Sequence, residues 1–169
     1  MKRVLKLDEA LLLLVHRFHA PKLTRLMRMF TRIGDASTWT FVSLVLIFVG
    51  GASIRFGLRI GIAALIASLL VQVLKRFFKR KRPSHGIQGF TALADNPDAF
   101  SFPSGHTAAA FAVAISVAGM SAMLGPFHLG LALAIGLSRV YLGAHYPLDV
   151  GVGIAVGSLA GVATRFLIV

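Results

Sequence analysis

Ser138-Arg139-Val140-Tyr141-Leu142-Gly143-Ala144-His145-Tyr146-Pro147-Leu148-Asp149 lies between two apolar runs, Pro126–Leu137 and Val150–Val169. It sets an arginine, a histidine and a carboxylate in a part of the chain that otherwise carries almost no charge. Ionisable groups at membrane depth are costly and face a cavity or a partner, so this stretch is the first functional candidate. Pro147 suits the first turn of a helix, where its missing N–H costs nothing. The last helix is therefore expected to begin there, with His145 just before it and Asp149 about one turn in. A carboxylate so placed can accept a hydrogen bond from one ring nitrogen of His145 and leave the other facing a substrate. Two more polar clusters must meet this one: Lys75 to Pro83, and Pro103 to His106.

The flanking composition sets the class. Of 169 residues 56% are hydrophobic, in long blocks, and the mean hydropathy is +0.79. That is a polytopic membrane protein, not a soluble core. Lys and Arg number 18 against 6 Asp and Glu, a net charge of +12. The basic residues flank hydrophobic spans instead of forming a soluble basic face, so anionic lipid is the expected partner and nucleic acid is not. There is no cysteine, hence no disulfide or thiol chemistry. The acids are Asp8, Glu9, Asp35, Asp95, Asp98 and Asp149, and only Asp149 falls inside a motif. Magnesium and calcium need several oxygen ligands, so no two-metal site can be built from them. His85, His106 and His145 sit among basic residues that would repel a zinc ion. Neither a metal nor another cofactor is expected.

Read outward, the blocks predict an all-α transmembrane bundle forming one domain over 1–169. Residues 1–36 hold an N-terminal helix and a basic amphipathic helix, and 37–169 the catalytic bundle. The spans are Thr38–Gly51, Phe56–Phe78, Ser104–Leu124, Pro126–Leu142 and Leu148–Ile168. Leu7–Phe18 is shorter than the ~20 residues of a standard span and either dips into the membrane or crosses it with tilt. It lacks a small-residue cleavage site, so no removed signal peptide is expected. Pro21 opens a helix on which Lys22, Arg25, Arg28 and Arg32 recur opposite Leu23, Leu26, Met27, Phe30 and Ile33, the pattern of an interfacial helix. Gly34-Asp35-Ala36-Ser37 reads as a turn, and Lys79–Phe102 as a polar loop carrying Asp95, Asn96, Pro97 and Asp98. Span parity puts all three polar clusters on one membrane face. Gly153, Gly157 and Gly161, with Gly57 and Gly61, have the spacing of close helix contacts. Packing inside the bundle is the preferred reading over a dimer interface, so a monomer is expected.

The clusters together describe phosphoryl transfer without metal. Ser104-Gly105-His106 opens an apolar helix, whose first-turn N–H groups and dipole bind anions. Lys75, Arg82, Arg139, Ser104 and the Gly105 N–H would hold the phosphate oxygens and stabilise the charge that grows on them, a role metal ions play elsewhere. Arg139 adds a forked guanidinium. His145 would be the nucleophile and Asp149 would fix its tautomer. His106 would protonate the leaving oxygen and then activate water.

Lys75-x6-Arg82-Pro83, Pro103-Ser104-Gly105-His106 and Ser138-Arg139-x5-His145-x3-Asp149 together resemble the three-part signature of the type-2 phosphatidic acid phosphatase superfamily. The motifs are complete and in order across residues 75–149. The resemblance implies a bundle of six transmembrane helices, which counts Leu7–His19 as the first. It implies metal-independent hydrolysis of a lipid phosphate, with the residue roles given above. In bacteria it implies the cytoplasmic membrane, with the site on the extracytoplasmic face. Taken literally, the Lys and Arg distribution puts the site in the cytoplasm. Some of that charge serves the site, so the outer face is the expectation. Undecaprenyl pyrophosphate, phosphatidylglycerol phosphate and the 1-phosphate of lipid A are the substrates considered. The alternative is a non-catalytic lipid-phosphate binder or transporter on the same fold, which would not need His106, His145 and Asp149. Vanadate-dependent haloperoxidase chemistry could use a similar oxyanion pocket, but the spans argue against it.

Overall fold

The structure, a computed structural model, describes residues 2–94, 98–120 and 123–168. Asp95, Asn96 and Pro97 of the polar loop lie outside the described residues. The helices are α1 (Lys2–His16), α2 (Pro21–Ile33), α3 (Ala36–Val49), α4 (Ser53–Phe78), α5 (Pro83–Gly86), α6 (Gly105–Ala118), α7 (Leu124–Tyr141) and α8 (Pro147–Leu167). Among the described residues there is no strand, only an isolated bridge between Lys81 and Phe100.

α6 is the centre, packed on α4, α7 and α8. Ala108, Ala109, Ala110, Ala112 and Ala114 are all buried, and their small side chains let three helices close in around one. The sequence predicts that this span runs to Leu124, but α6 ends at Ala118. At 14 residues it is about 21 Å long, less than the ~30 Å of a bilayer core. Gly119 stands at its C-cap. α4 and α8 are by themselves long and apolar enough to cross a membrane. α2 and α3 meet that test as a pair bent by 54°.

The glycines of α8 line its contact with α6. A Cβ on Gly153 would lie 2.8 Å from the Ser104 carbonyl oxygen, and one on Gly161 2.6 Å from that of Ala112. At Gly157 the Cβ would drive into the Ala108 carbonyl. Gly57 and Gly61 do the same for α4 against Ser43 of α3. Gly157→Ala is therefore expected to push α6 and α8 apart and cost about 1–3 kcal/mol, as overpacking does. Thermal unfolding in detergent checks this, and an unchanged midpoint would mean that the helix pair yields without cost.

Large apolar side chains face outward around the bundle: Phe41 and Phe48 of α3, Leu65 and Leu69 of α4, Leu137 of α7, Leu159 and Phe166 of α8. An apolar belt on this scale is covered by lipid. α1 docks on α7 and α8 through Leu12, which is fully buried against Val140 and Tyr146. α2 lies against α7, with Thr24 bonded to the Tyr141 hydroxyl at 3.1 Å and Thr31 to the Ser138 hydroxyl at 3.0 Å. On its basic face Arg28 and Arg32 line a cavity at the site end of the bundle.

Candidate active site

The last cluster is shaped by the turn between α7 and α8. Gly143 takes φ +70°, the left-handed region that favours glycine, and the N–H groups of Ala144 and His145 return to the Arg139 carbonyl. Pro147 opens α8 as its sequence position predicts. His145 is thereby sunk into the protein, 1% exposed, with Nε2 3.3 Å from Nη1 of Arg82. Burial holds the His145 pKa well below its ordinary value, and the charges of Arg139, Arg82 and Lys75 depress it further. The ring is neutral at pH 7, the form in which a nitrogen lone pair is available for attack.

Asp149 is fully buried, with Oδ2 3.6 Å from Nδ1 of His145. That is ion-pair range but too long for a hydrogen bond. Its bonds go elsewhere. The Tyr146 N–H donates to Oδ2 at 2.9 Å, and Nη1 of Arg80 donates to Oδ1 at 2.7 Å. Arg80 also donates to Asp8 of α1 at 2.6 Å, and its guanidinium lies 3.9 Å over the Tyr146 ring. Asp8 in turn accepts the Leu148 N–H at 2.7 Å. Two buried carboxylates thus share one arginine.

The first cluster meets His145 through Arg82, which is 3% exposed. Its Nη1 donates to the Ala144 carbonyl at 2.8 Å, and its Nη2 pairs with the Asp98 carboxylate. Lys75 donates to the other Asp98 oxygen at 2.7 Å. Burial alone would raise the Asp98 pKa, but the hydrogen bonds and charges of Lys75 and Arg82 outweigh it and hold it below the ordinary value. One carboxylate therefore bridges the two cations beside His145.

The second cluster opens α6. His106 stands between two cavities. One, of about 550 Å³, is lined by Lys75, Asp98, Gly105, Val71, Phe100 and Ala109. The other, of about 580 Å³, is lined by Arg139, Thr31, Asp35, Arg28 and Arg32. Nε2 of His106 is 2.7 Å from Oδ1 of Asp35. A Cβ on Gly105 would meet only Val71, at 3.6 Å, so that backbone is open to an approaching group. The Ser104 hydroxyl is fully buried and bonded to that of Thr107 at 2.9 Å, and Ser104 lines neither cavity. Arg139 is 2% exposed and donates to the Thr31 hydroxyl at 3.0 Å.

Lys75, Arg82, Gly105, His106, Arg139, His145 and Asp149 therefore gather at one end of the bundle. The arrangement can hold a tetrahedral anion between two arginines and a lysine, with an imidazole nitrogen beside it. Sequence reading passed over Asp8, Asp35, Arg80 and Asp98. A usable signal existed in the charge balance: in so basic and apolar a chain, each acid needs a cationic or histidine partner. Among the described residues, no three His, Asp or Glu side chains gather in a way that could hold a metal ion. A separate cavity of about 870 Å³, lined by Arg55 and Arg59, lies at the other end of α4 and contains none of the motif residues.

Residues 56–168 match the PAP2 superfamily, and the chain belongs to it. The chain is similar to the crystal structure of Aquifex aeolicus LpxE, with TM-score 0.80, 29% identity and 92% of each chain covered. It is likewise similar to the PAP2-type phosphatidylglycerolphosphate phosphatase from Bacillus subtilis, with TM-score 0.81 and 26% identity over 99% of this chain and 87% of that one. The decaprenylphosphoryl-5-phosphoribose phosphatase of Mycobacterium tuberculosis is 35% identical over 101 residues, which are 60% of this chain and 55% of that protein. The chain thus spans little more than half the length of that relative. With its lipid-facing belt and this kinship, it is an integral membrane protein.

Proposed function

We propose that this protein is a metal-independent lipid phosphate phosphatase that works through a phosphohistidine. The observation that carries the reading is the Asp98 carboxylate held by Lys75 and by Arg82, whose other terminal nitrogen meets Nε2 of His145. The cations that would hold a phosphate thus already hold an oxyanion, and one of them also meets the imidazole. Lys75, Arg82, Arg139 and the Gly105 N–H hold the phosphate oxygens, and Ser104 supports the loop from behind. Nε2 of His145 attacks phosphorus, the P–O bond to the lipid breaks, and His106 gives its proton to the departing oxygen. The ring is now a charged phosphoimidazolium, and Asp149, 3.6 Å from Nδ1, neutralises it. His106 then takes a proton from water, whose oxygen displaces His145 and releases inorganic phosphate.

The substrate is a lipid whose tail enters between helices. The cavity around His106 has apolar walls from α4 and α6, and its phosphate end is cationic. Undecaprenyl pyrophosphate, phosphatidylglycerol phosphate and lipid A 1-phosphate all fit that description, as does a phosphorylated sugar on a polyprenyl carrier. The protein would sit in a bacterial cytoplasmic membrane with the site facing outward. Lys75, Arg80 and Arg82 each pair with a carboxylate inside the fold, so they do not count as membrane-flanking cations in the charge rule.

Phosphate release from a panel of these lipids in detergent, with excess EDTA, tests the reading. Release that survives EDTA is expected, and the ranking of lipids supplies the substrate. Release abolished by EDTA would overturn the metal-free mechanism, and no release by folded protein would favour a lipid-phosphate binder. A second expectation concerns Asp98, which a phosphate must displace. Asp98→Ala should lower the inhibition constant of inorganic phosphate by about tenfold, equivalent to ~1.4 kcal/mol. Weaker inhibition would show that the carboxylate supports the anion site instead of competing for it.

A further inference from the structure

Asp35 occupies the N-cap position of α3, where a carboxylate ordinarily accepts the free N–H groups of the first turn. It makes no such bond. Its carboxylate turns away from its own helix and reaches His106 on α6, with Oδ1 2.7 Å from Nε2 across 71 residues of sequence. The corner that carries it is packed onto the same ring: a Cβ on Gly34 would lie 3.3 Å from Cδ2 of His106 and 2.7 Å from Ile135. Packing and hydrogen bond thus fix both the plane and the direction of the imidazole.

We infer that Asp35 is the positioning residue of the leaving-group acid, acting through His106. A carboxylate accepts, so Nε2 carries the hydrogen and Nδ1 is the nitrogen that exchanges a proton with the substrate. Asp35 also balances charge. His106 shares its cavities with Arg139, Lys75, Arg28 and Arg32, all of which oppose a second proton on the ring. The Asp35 carboxylate is the anion in direct contact with it, and it stabilises the imidazolium that must donate. In the transfer step the Nδ1 proton passes to the ester oxygen as the P–O bond breaks, leaving neutral His106 bonded to Asp35. The assignment rests on the phosphatase reading and extends it to a second aspartate–histidine pair.

Leaving groups separate this role from a structural one. A lipid alkoxide departs only when protonated, whereas nitrophenolate departs without help. The quantity to measure is kcat/KM, which reports the steps up to loss of the leaving group, for dioctanoyl phosphatidate and for p-nitrophenyl phosphate in the same detergent. Asp35→Asn should lower the first by about a hundredfold and the second by less than about fivefold, the size of a general-acid contribution. Asp35→Glu, which keeps a carboxylate, should recover part of the loss on phosphatidate. Equal losses on both esters, in a variant that unfolds at the wild-type temperature, would make Asp35 a structural corner and overturn the inference. If Asp35→Asn fails to fold, equal losses in Asp35→Glu decide against it in the same way. Wild-type protein that cleaves neither ester overturns the phosphatase reading itself, and the inference with it.

Discussion

His145→Ala is expected to abolish phosphate release, lowering kcat by about a thousandfold or more, as removal of an attacking side chain does elsewhere. The side chain is buried and its Nε2 meets Arg82, so nothing else on that segment can take its place. The anion site would survive, because Lys75 and Arg82 are held from Asp98 and the Ala144 carbonyl. The variant should therefore still bind phosphate lipids while failing to turn them over. Reaction with labelled substrate quenched in alkaline detergent provides a second readout: wild type should trap phosphate in a base-stable adduct that acid releases, and the variant should trap none. Turnover within about tenfold of wild type would mean that another atom attacks phosphorus.

Arg80→Ala is expected to cost more stability than any other single change considered. Asp149 is fully buried and Asp8 nearly so, and Arg80 is bonded to both. Removing the cation leaves two desolvated carboxylates facing one another, and breaking a buried pair in this way typically costs about 3–5 kcal/mol. Removing one carboxylate as well should return part of it. Arg80→Ala combined with Asp8→Asn is expected to unfold at a higher temperature than Arg80→Ala alone, a non-additivity that a double-mutant cycle measures. Activity should fall along with stability, since Asp149 would lose the bond that aims it toward His145. A single variant within about 1 kcal/mol of wild type would show that water reaches the carboxylates and that the network carries little.

The residues that were legible in the sequence are those whose signal is local. Pro147 marks the start of α8, and the long apolar blocks mark α4 and α8 to within a few residues, because proline geometry and hydropathy act over one or two turns. The end of α6 was not read from the sequence: the apolar run continues past Ala118, although Gly119 stands at its C-cap. The short α5 after Pro83 gave no periodic signal. In the site, Lys75, Arg82, His106, Arg139, His145 and Asp149 announce themselves by spacing, and span parity brings them to one face. Their orienting partners do not. Arg80 falls in the gap between two motif residues, and Asp35 reads as part of a turn. Asp8 sits 140 residues from the Leu148 N–H that it accepts. No window along the chain contains both ends of such a bond.

That last bond bears on how the protein is made. α1 is synthesised before the loop after α4 and before α8. Its Asp8 finds Arg80 only when the loop after α4 has been synthesised, and the Leu148 N–H only when α8 begins. Until then Asp8 has neither partner. Completion of the site therefore depends on closure between α1 and the start of α8, a high-contact-order step. A nascent protein halted before Pro147 holds helices but no assembled centre, so His145, Asp149 and the latch on α1 come together only once α8 has begun.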